Sequence, residues 1–399
     1  MNSIIENALR NSNMGGSGTN RVVNSMQNKS NSKVVEDRFK LQSSSGATRT
    51  NMDYFKLAEE EFGFSIKKAR IVVFGCGGAG QNTVTRLSEM GVQGATTVSL
   101  NTDAKHLTVG KADRKILIGK ELTRGLGAGG YPEIGKKAAE ESRNEIKAAV
   151  EGTDLAFVCV GEGGGTGTGA APVVAELAKS TGAIVIGVAT MPFKIEGARI
   201  SKAEEGLARL RQITDTVIVI ENDRLLKYAG KLPLQQAFAV ADELIASMVK
   251  GITETITLPS LVNVDYADVK TIMRSGGVAA LGVGESNSSD RAIDAVTKAL
   301  TNPLLDVDYT GAQGALIHIT GGNDLTLDEV NAIGECVSQH LDPSAQVIWG
   351  ARILPEFGGQ IQVITIMTGV QSPYILGPIA REKPVVRELD HALGIDIIR

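Results

Sequence analysis

The 399-residue sequence has few of the residues that mark metal sites and disulfide frameworks. Its four histidines and three cysteines show no metal-ligand spacing, which argues against a structural zinc site. The cysteines are odd in number and widely spaced, and Cys76 and Cys159 lie in apolar or glycine-rich surroundings typical of reduced, buried thiols. The formal net charge of −4 gives no electrostatic reason to expect nucleic acid as a partner.

Apolar segments long enough to cross a membrane are also missing from the sequence. Residues 1–13 lack the continuous apolar stretch of a signal peptide, and no later segment reaches the length of a membrane span. We therefore expect a cytoplasmic protein without direct membrane insertion, whose membrane contact is made through a partner. With 42% hydrophobic residues and a mean hydropathy of +0.02, the chain is long enough for two domains with substantial cores.

The order of sequence patterns divides the chain into five predicted regions. Residues 1–52 are rich in Asn, Ser and Gly, which predicts a disordered tail. Alternating strand and helix patterns over 53–232 predict a Rossmann-like α/β domain, in which helices cover a parallel sheet on both faces. A long helical pattern at 233–258 connects this domain to a smaller α+β domain over 259–370. Residues 371–399 are predicted to form a short C-terminal tail.

Within these regions the predicted elements follow from hydrophobic periodicity. The first domain has predicted strands at 70–74, 96–100, 115–118, 155–160, 183–188 and 216–220, and predicted helices at 52–62, 82–90, 132–150 and 170–179, the last with Pro172 in its first turn. The second domain has predicted strands at 279–285, 315–319, 346–351 and 360–367, and predicted helices at 268–274, 290–301 and 327–340.

The most informative feature is a glycine-rich run between a predicted buried strand and a predicted helix, Gly163-Gly164-Gly165-Thr166-Gly167-Thr168-Gly169. Because side chains are nearly absent from the run, backbone N–H groups can approach an anion closely, and the helix N-terminus adds its partial positive charge. A flexible linker would not be expected between a buried strand and a helix. The run therefore predicts a phosphate-binding loop.

Two further glycine-rich loops, at residues 75–80 and 125–130, are predicted at the same edge of the sheet. We call the loop at 75–80 the first, the run at 163–169 the second and the loop at 125–130 the third. Residues 75–80 follow the first strand and match the dinucleotide fingerprint G-x-G-x-x-G, with Asp103 farther along the chain. A Rossmann oxidoreductase is therefore an alternative, although three glycine-rich loops exceed what one pyrophosphate needs and no general acid for hydride transfer is evident. Residues 130–137 imitate a P-loop, but Lys137 replaces the required Ser or Thr, so we interpret this match as coincidental.

Together these motifs resemble the tubulin/FtsZ superfamily of self-assembling GTPases. The glycine-rich run at 163–169 resembles the superfamily signature, and Ala170-Ala171-Pro172 after it favours the FtsZ branch. Segments 75–82, 101–103, 127–129 and 263–268 agree, so the resemblance covers roughly residues 65 to 370. The short C-terminal tail and the Asn- and Ser-rich N-terminal tail favour an archaeal member of the family.

The resemblance implies a role for each matching position. Glu196 would bind the ribose with Arg199 close by, Asn222 and Asp242 would hydrogen-bond the guanine edge, and Phe238 would stack on the base. The cofactors implied are GTP or GDP and Mg²⁺, with the metal bound mainly through the phosphates and no metal-binding side chain assigned. The implied phosphate-binding residues are Gly77, Gly78, Ala79, Gly80, Gln81, Asn82, Asn101, Asp103, Gly127, Ala128, Gly129, Gly164, Gly165, Thr166, Gly167 and Thr168.

Several of these positions also have an ordinary structural interpretation. The helical spacing of Phe238 with Leu234 and Ala241 is typical of a core residue. Asp242 by itself is typical of a solvated helix carboxylate, and Asn222 of a turn. A carboxylate facing guanine would meet an N–H and an amine, whereas on adenine it would meet an acceptor, so Asp242 would select the base.

Asp265 and Asp268 are the predicted catalytic residues. By themselves they are equally typical of a capping pair at the start of the helix over 268–274. The resemblance implies instead that they act on the nucleotide of the next subunit in a head-to-tail homopolymer, so that hydrolysis occurs only in the polymer. It further implies a cell-division protein in a cytokinetic ring at mid-cell, with a membrane-tethering adaptor bound through the C-terminal tail. A cytoskeletal role in cell shape is the second alternative.

Overall fold

The computed structural model describes residues 69–258, 260–274, 278–301, 309–310 and 312–370. The predicted tails at 1–52 and 371–399 and the predicted helix at 52–62 lie outside the described residues. None of the helices in the described ranges is long and apolar enough to cross a membrane.

The first sheet has six parallel strands in the order β3-β2-β1-β4-β5-β6. Its strands are nearly continuous apolar runs because both faces are covered by helices, and Phe74 and Phe157 are fully buried in its centre. The predicted Rossmann-like class is confirmed. The strands are β1 (Ile71–Cys76), β2 (Ala95–Asn101), β3 (Arg114–Leu117), β4 (Leu155–Gly161), β5 (Ile184–Met191) and β6 (Thr216–Glu221).

Eight helices connect and cover these strands in the described residues up to 230. They are α1 (Gly77–Glu89), α2 (Ala104–Val109), α3 (Lys120–Thr123), α4 (Pro132–Glu141), α5 (Arg143–Val150), α6 (Thr166–Ser180), α7 (Ala198–Ile213) and α8 (Asn222–Ala229). The predicted helix at 132–150 is two helices that meet at Ser142, whose hydroxyl accepts a hydrogen bond from the N–H of Gly119.

Two helices begin earlier than their sequences predicted. Helix α1 starts at Gly77 rather than at residue 82, and α6 starts at Thr166 rather than at residue 170. Glycine has low helix propensity, but α6 needs it, because a Cβ on Gly169 would lie 2.0 Å from the carbonyl oxygen of Pro132 on α4. Close packing between helices therefore outweighs propensity. Pro172 lies inside α6 and not in its first turn, so the prediction for its position was wrong.

The 24-residue helix α9 (Leu234–Thr257) packs along α1 and leads to the second sheet. Arg86 of α1 forms an ion pair with Glu243 of α9, and Lys250 of α9 donates to the carbonyl oxygen of Met90 at 2.9 Å. Both Arg86 and Glu243 are largely buried, so this contact fixes the long helix against the helix that follows β1.

The second sheet is mixed, with the order β7-β10-β8-β9. Strand β10 is antiparallel to β7 and β8, while β8 and β9 are parallel. Its elements are α10 (Tyr266–Arg274), β7 (Ala279–Ser286), α11 (Arg291–Leu300), β8 (Ala312–Gly321), α12 (Leu327–Ser338), β9 (Leu341–Ile353) and β10 (Ile361–Thr368). The prediction of a second α+β unit is confirmed.

Candidate nucleotide-binding site

The two main glycine-rich loops lie side by side at the carboxyl edge of the first sheet. They follow β1 and β4, which are adjacent and from which the strand order runs outward in opposite directions. This is the topological switch point, where parallel α/β sheets bind their ligands. Helices α1 and α6 begin at these loops without side-chain caps, so the free N–H groups of their first turns are available to an anion.

The loops approach each other so closely that side chains are excluded. A Cβ on Gly77, which has φ +71°, would lie 2.6 Å from the backbone nitrogen of Gly167. A Cβ on Gly80 would lie 2.3 Å from the carbonyl oxygen of Cys159. Glycine at these positions is therefore a requirement of the fold as well as of an anion-binding surface.

The third glycine-rich loop closes against the second. A Cβ on Gly165 would lie 2.8 Å from the backbone nitrogen of Tyr131 and 3.0 Å from that of Gly130. Ala128 is buried against Gly165, whereas Gly129 is exposed. The structure thus brings all three predicted loops together at one edge.

The predicted phosphate-binding residues divide into exposed and buried groups. Gly78, Ala79 and Asn82 in the first turns of α1 are exposed, while Gly127 and Gly164 are half-buried. Gly80, Gly165, Thr166, Gly167 and Thr168 are buried beneath them. The first group forms the accessible rim of the site, and the second shapes the backbone that a phosphate would contact.

The residues after β2 support the loops through hydrogen bonds. The side-chain amide of buried Asn101 donates to Gln81 Oε1 at 3.1 Å, and its Oδ1 accepts from the N–H of Asp103 at 3.2 Å. Asp103 caps α2 by accepting from the N–H of His106 at 3.0 Å. Thr102, which the sequence did not single out as a site residue, bonds Thr166 hydroxyl to hydroxyl at 2.6 Å.

Glu196 and Arg199, the predicted ribose residues, are paired with each other. Arg199 donates to Glu196 Oε2 at 2.6 Å, and Glu196 Oε1 accepts from the backbone N–H of Phe193 at 3.0 Å. The backbone of Arg199 also lies against Gly163, where a Cβ would be 2.8 Å from its carbonyl oxygen. Helix α7 thus begins directly beside the phosphate loop.

Phe238 does not lie in the core, so the core interpretation of its spacing was wrong. It is 40% exposed, and its ring meets that of Phe193 edge-on, with the centroids 5.8 Å apart. An exposed aromatic face on α9 is available for stacking on a base. Asn222 is half-buried at the first position of α8, directly after β6.

Asp242 is not a solvated helix carboxylate. It faces α1, where the Thr83 hydroxyl donates to its Oδ1 at 3.1 Å. Burial raises the pKa of Asp242 to about 7, and the Thr83 hydrogen bond and the charge of Arg86 limit this rise. The carboxyl group therefore titrates near neutral pH, and perturbed pKa values of this kind cluster at functional sites.

Asp265 and Asp268 lie at the opposite edge of the sheet. The hydroxyl of Tyr266, between them in sequence, donates to the carbonyl oxygen of Asp154 at 2.8 Å, and Asp154 directly precedes β4. The glycine-rich run follows the other end of the same strand, about 20 Å away at 3.3 Å per residue. Within one chain the structure does not bring the two aspartates to the loops.

Sequence reasoning missed Lys202 of α7. Its ammonium group donates to the carbonyl oxygen of Gly130 at 2.9 Å and lies 5.5 Å from the ring centroid of Tyr131. Nothing in the local pattern distinguishes this lysine from the other charged residues of α7. Its contact with the third loop is visible only in the folded structure.

An apolar groove of about 320 Å³ lies elsewhere, between α12 and the strands β8 and β9. Its lining includes Ile317, Leu327, Val347 and Trp349 and offers no glycine-rich backbone. The groove therefore lacks the glycine-rich backbone donors that suit the loops at the carboxyl edge of the first sheet to bind phosphate.

Comparison with known proteins agrees with this geometry. Residues 70–230 match the model of the Tubulin/FtsZ family GTPase domain, and residues 277–371 match that of the FtsZ family C-terminal domain. The chain is 59% identical over 337 residues to cell division protein FtsZ 2 of Methanocaldococcus jannaschii, covering 84% of this chain and 88% of the relative. The chain belongs to the FtsZ family.

Other relatives of this FtsZ-family chain are consistent with the assignment. Cell division protein FtsZ 1 of Archaeoglobus fulgidus is 53% identical over 83% of this chain and 89% of its own length. The empty FtsZ dimer of M. jannaschii superposes with a TM-score of 0.73 at 52% identity, covering 80% of this chain and 93% of that one. CetZ2 of Haloferax volcanii, solved as a GTPγS-bound protofilament, has a TM-score of 0.67 at 26% identity, covering 82% and 100%.

Family membership decides between the functions that the sequence left open. The chain is a GTP-binding, cell-division GTPase of the tubulin superfamily. The oxidoreductase alternative suggested by the fingerprint at 75–80 is therefore wrong. The relatives at 53–59% identity are cell division proteins, which favours the division role over the cell-shape alternative.

Proposed function

We propose that this chain assembles head to tail into filaments of the cytokinetic ring and hydrolyses GTP at the contact between adjacent subunits. One observation carries the proposal. The glycine-rich loops and the acidic pair Asp265 and Asp268 lie at opposite edges of one sheet, separated by the length of β4. A site divided in this way is complete only where the surface of one subunit that carries Asp265 and Asp268 meets the glycine-rich loops of the next subunit.

The phosphates would be bound by backbone N–H groups of the three loops. The uncapped first turns of α1 and α6 supply aligned donors, and Gly127 to Gly129 would close over the end of the phosphate chain. Glu196 and Arg199 at the start of α7 lie beside Gly163, which suits them to bind the ribose.

The base would lie against α9. Phe238 offers an exposed ring for stacking, and Asp242 offers a carboxylate that can accept from guanine N1–H and its exocyclic amine. Asn222 at the start of α8 would also hydrogen-bond the guanine edge. On adenine the same carboxylate would face an acceptor, so the site selects GTP.

Asp265 and Asp268 would polarise the attacking water at the neighbour's nucleotide. They exchange hydrogen bonds, since Asp268 N–H donates to Asp265 Oδ1 at 2.8 Å and Asp265 N–H donates to Asp268 Oδ2 at 3.1 Å. This reciprocal capping leaves Asp265 exposed and holds both carboxyl groups at the tip of α10. The contact is heterologous, so its repetition generates an open filament, as in the protofilament of CetZ2.

Mg²⁺ fits this site through the nucleotide. The described residues contain no cluster of three or more His, Cys, Asp or Glu side chains that could hold a metal ion. The ion's ligands would therefore be phosphate oxygens and water, and it would neutralise charge on the phosphates. The backbone donors of the loops then orient the phosphate chain.

The remaining assignments follow the sequence predictions. We propose that the protein acts in the cytoplasm in a ring at mid-cell, binds a membrane-tethering adaptor through residues 371–399, and does not bind nucleic acid. We also keep as proposals the boundaries of the GTP-binding region at 53–232, the connecting helix at 233–258 and the C-terminal region at 259–370.

A mixing experiment tests the divided site. Asp268→Asn would retain a complete GTP site, and Gly165→Ala would retain the acidic pair, so each variant alone should hydrolyse GTP very slowly. Mixed filaments would place intact loops against intact aspartates, and we expect activity to reappear on mixing. Continued inactivity of the mixture, with both variants shown to enter filaments, would contradict the proposal.

Concentration dependence provides the second test. GTP turnover per molecule should fall nearly to zero below a threshold concentration, at which sedimentation shows that filaments disappear. The control is Asp290→Ala, which removes an exposed carboxylate at the start of α11. It should leave both the threshold and the turnover unchanged. Full turnover by dilute monomers would refute hydrolysis at the subunit contact.

A further inference from the structure

Glu162 is a buried carboxylate at the end of β4 that none of the proposed roles uses. It directly precedes the glycine-rich run, is 5% exposed, and its backbone N–H donates to the carbonyl oxygen of Thr190 at 2.9 Å. Neither of its carboxyl oxygens has a hydrogen-bond partner among the described residues. A buried polar group in this state needs an explanation.

The side chain lies between two helices that form the site. A Cβ on Gly206 of α7 would be 2.2 Å from Glu162 Oε2 and 2.4 Å from Thr168 Cγ2, so Glu162 packs against the backbone of α7 and the first turn of α6. The Thr168 hydroxyl is also buried without a partner. The carboxyl group thus fills the seam between the phosphate-loop helix and the helix that carries Arg199.

We propose that Glu162 is a proton-dependent positioning residue for the phosphate loop. In its neutral form it fills the seam between α6 and α7 and supports the loop, whereas its ionised form weakens the binding of the nucleotide phosphates. This inference rests on the proposed GTP site.

Two physical effects give the proposal its direction. An ionised carboxylate without hydrogen bonds is costly in this seam, and the cost is relieved when α6 shifts or water enters. It also adds a negative charge directly before the loop that binds a polyphosphate. GTP binding therefore favours the neutral form, and by linkage GTP affinity falls as Glu162 ionises.

The neighbours of Glu162 do not offset the effect of burial, so its pKa stays near neutral pH. Burial raises its pKa to about 7, and the Thr168 hydroxyl and the Arg209 charge on α7 limit the rise. Arg209 is itself engaged with Glu133 of α4 and Glu205 of α7, both at 3.2 Å. On β1, the pKa of the Cys76 thiol is raised far above neutrality, mainly by burial, so this thiol stays uncharged.

Glu162→Gln tests the inference, because glutamine has nearly the same shape and resembles the neutral form. GTP dissociation constants are measured from pH 6 to pH 8.5 for wild type and variant, and their ratio cancels every other titrating group. We expect a ratio near one at pH 6 and about three- to tenfold weaker binding by wild type at pH 8.5. The matched control, Glu204→Gln, removes an exposed charge on the same turn of α7 as Gly206 and should follow wild type at every pH.

Three further measurements keep the outcomes distinct. Guanosine, which lacks phosphates, should show the same wild-type to variant ratio at both pH values. Glu162→Leu, like Glu162→Gln, should bind GTP without the loss of affinity at high pH that is specific to wild type. Thermal unfolding at each pH checks that all variants fold. A wild-type to variant ratio for GTP that does not change with pH, or one that changes equally for guanosine, would overturn the inference. Absence of GTP binding by wild type would instead refute the proposed site itself.

Discussion

The Thr83 hydroxyl on α1 donates a hydrogen bond of 3.1 Å to the carboxyl group of Asp242 on α9. The contact joins the helix that starts at the first glycine-rich loop to the helix that would carry the base-recognition residues. Because burial holds the pKa of Asp242 at about 7 before the nucleotide binds, recognition of guanine through Asp242, as proposed above, would be linked to a proton.

The first prediction is that GTP affinity through Asp242 increases as the pH rises from 6 to 8. Guanine binds the ionised carboxyl group, so binding releases a proton when the pH is below about 7. The affinity gain approaches about tenfold per pH unit there and levels off above pH 7. Titrations in the Glu162→Gln background isolate this effect, and Asp242→Asn in that background should bind GTP weakly with no pH slope.

The same pKa predicts the sign of a stability effect. The folded-state pKa of Asp242 is raised above the ordinary 3.8, so the stability associated with the neutral group is present at acid pH and is lost as the pH rises through about 7. Nucleotide-free Asp242→Asn should lose less stability between pH 5 and pH 8 than wild type in urea unfolding. Equal losses would contradict the assignment.

The second prediction concerns the acidic pair. Asp265→Asn and Asp268→Asn should each reduce GTP turnover in filaments by about 100-fold or more, with the GTP dissociation constant within about twofold of wild type. Asparagine can still accept the capping hydrogen bonds, whereas alanine should also destabilise the chain by about 1 kcal/mol. A large loss of GTP affinity in either asparagine variant would show that these residues help to bind GTP, and would contradict a purely catalytic role.

The third prediction tests the contact between the second and third loops. Gly165→Ala should nearly abolish GTP binding, because its Cβ would lie 2.8 Å from the backbone nitrogen of Tyr131. The control is Gly334→Ala on α12, where a Cβ meets nothing within 4 Å, and it should bind GTP normally. Isothermal titration of both variants gives the comparison, and normal affinity in Gly165→Ala would refute the phosphate role.

The fourth prediction is that Phe238→Leu weakens GTP binding by roughly tenfold through loss of base stacking, which is worth about 1–3 kcal/mol. Leucine preserves the helix, and the 40% exposure of Phe238 means that little core packing is lost. Thermal unfolding of the nucleotide-free variant should therefore match wild type. A lowered unfolding temperature with unchanged GTP affinity would refute the stacking role of Phe238.

The sequence predicted the first sheet well because its strands are continuous apolar runs with few alternatives. It placed the glycine-rich loops correctly, since loops that follow parallel strands must lie at one edge. The helix starts at Gly77 and Thr166 were missed, because local propensity opposes them and the close approaches that require glycine, such as that of Gly169 to Pro132, appear only in the folded structure.

Contacts between residues far apart in the chain could not be predicted from the sequence. The hydrogen bond from Tyr266 to Asp154 joins segments more than 100 residues apart, and no local pattern indicates it. Phe238 has core-like spacing, but the spacing does not show that its neighbouring surface is open. Glu162 has the local sequence of an exposed loop charge, and its burial follows from the approach of Gly206.

The strand order has a consequence for synthesis of the chain. Ile71 on β1 pairs with Ala95 on one side and with Leu155 on the other. During translation β1 can pair with β2 early. The side of β1 that pairs with β4 stays unpaired for roughly 3 to 12 s longer at typical elongation rates. In that interval the nascent chain exposes an unpaired, aggregation-prone strand edge. Ribosome-bound chaperones should therefore cross-link most strongly to nascent chains that end shortly before β4 emerges.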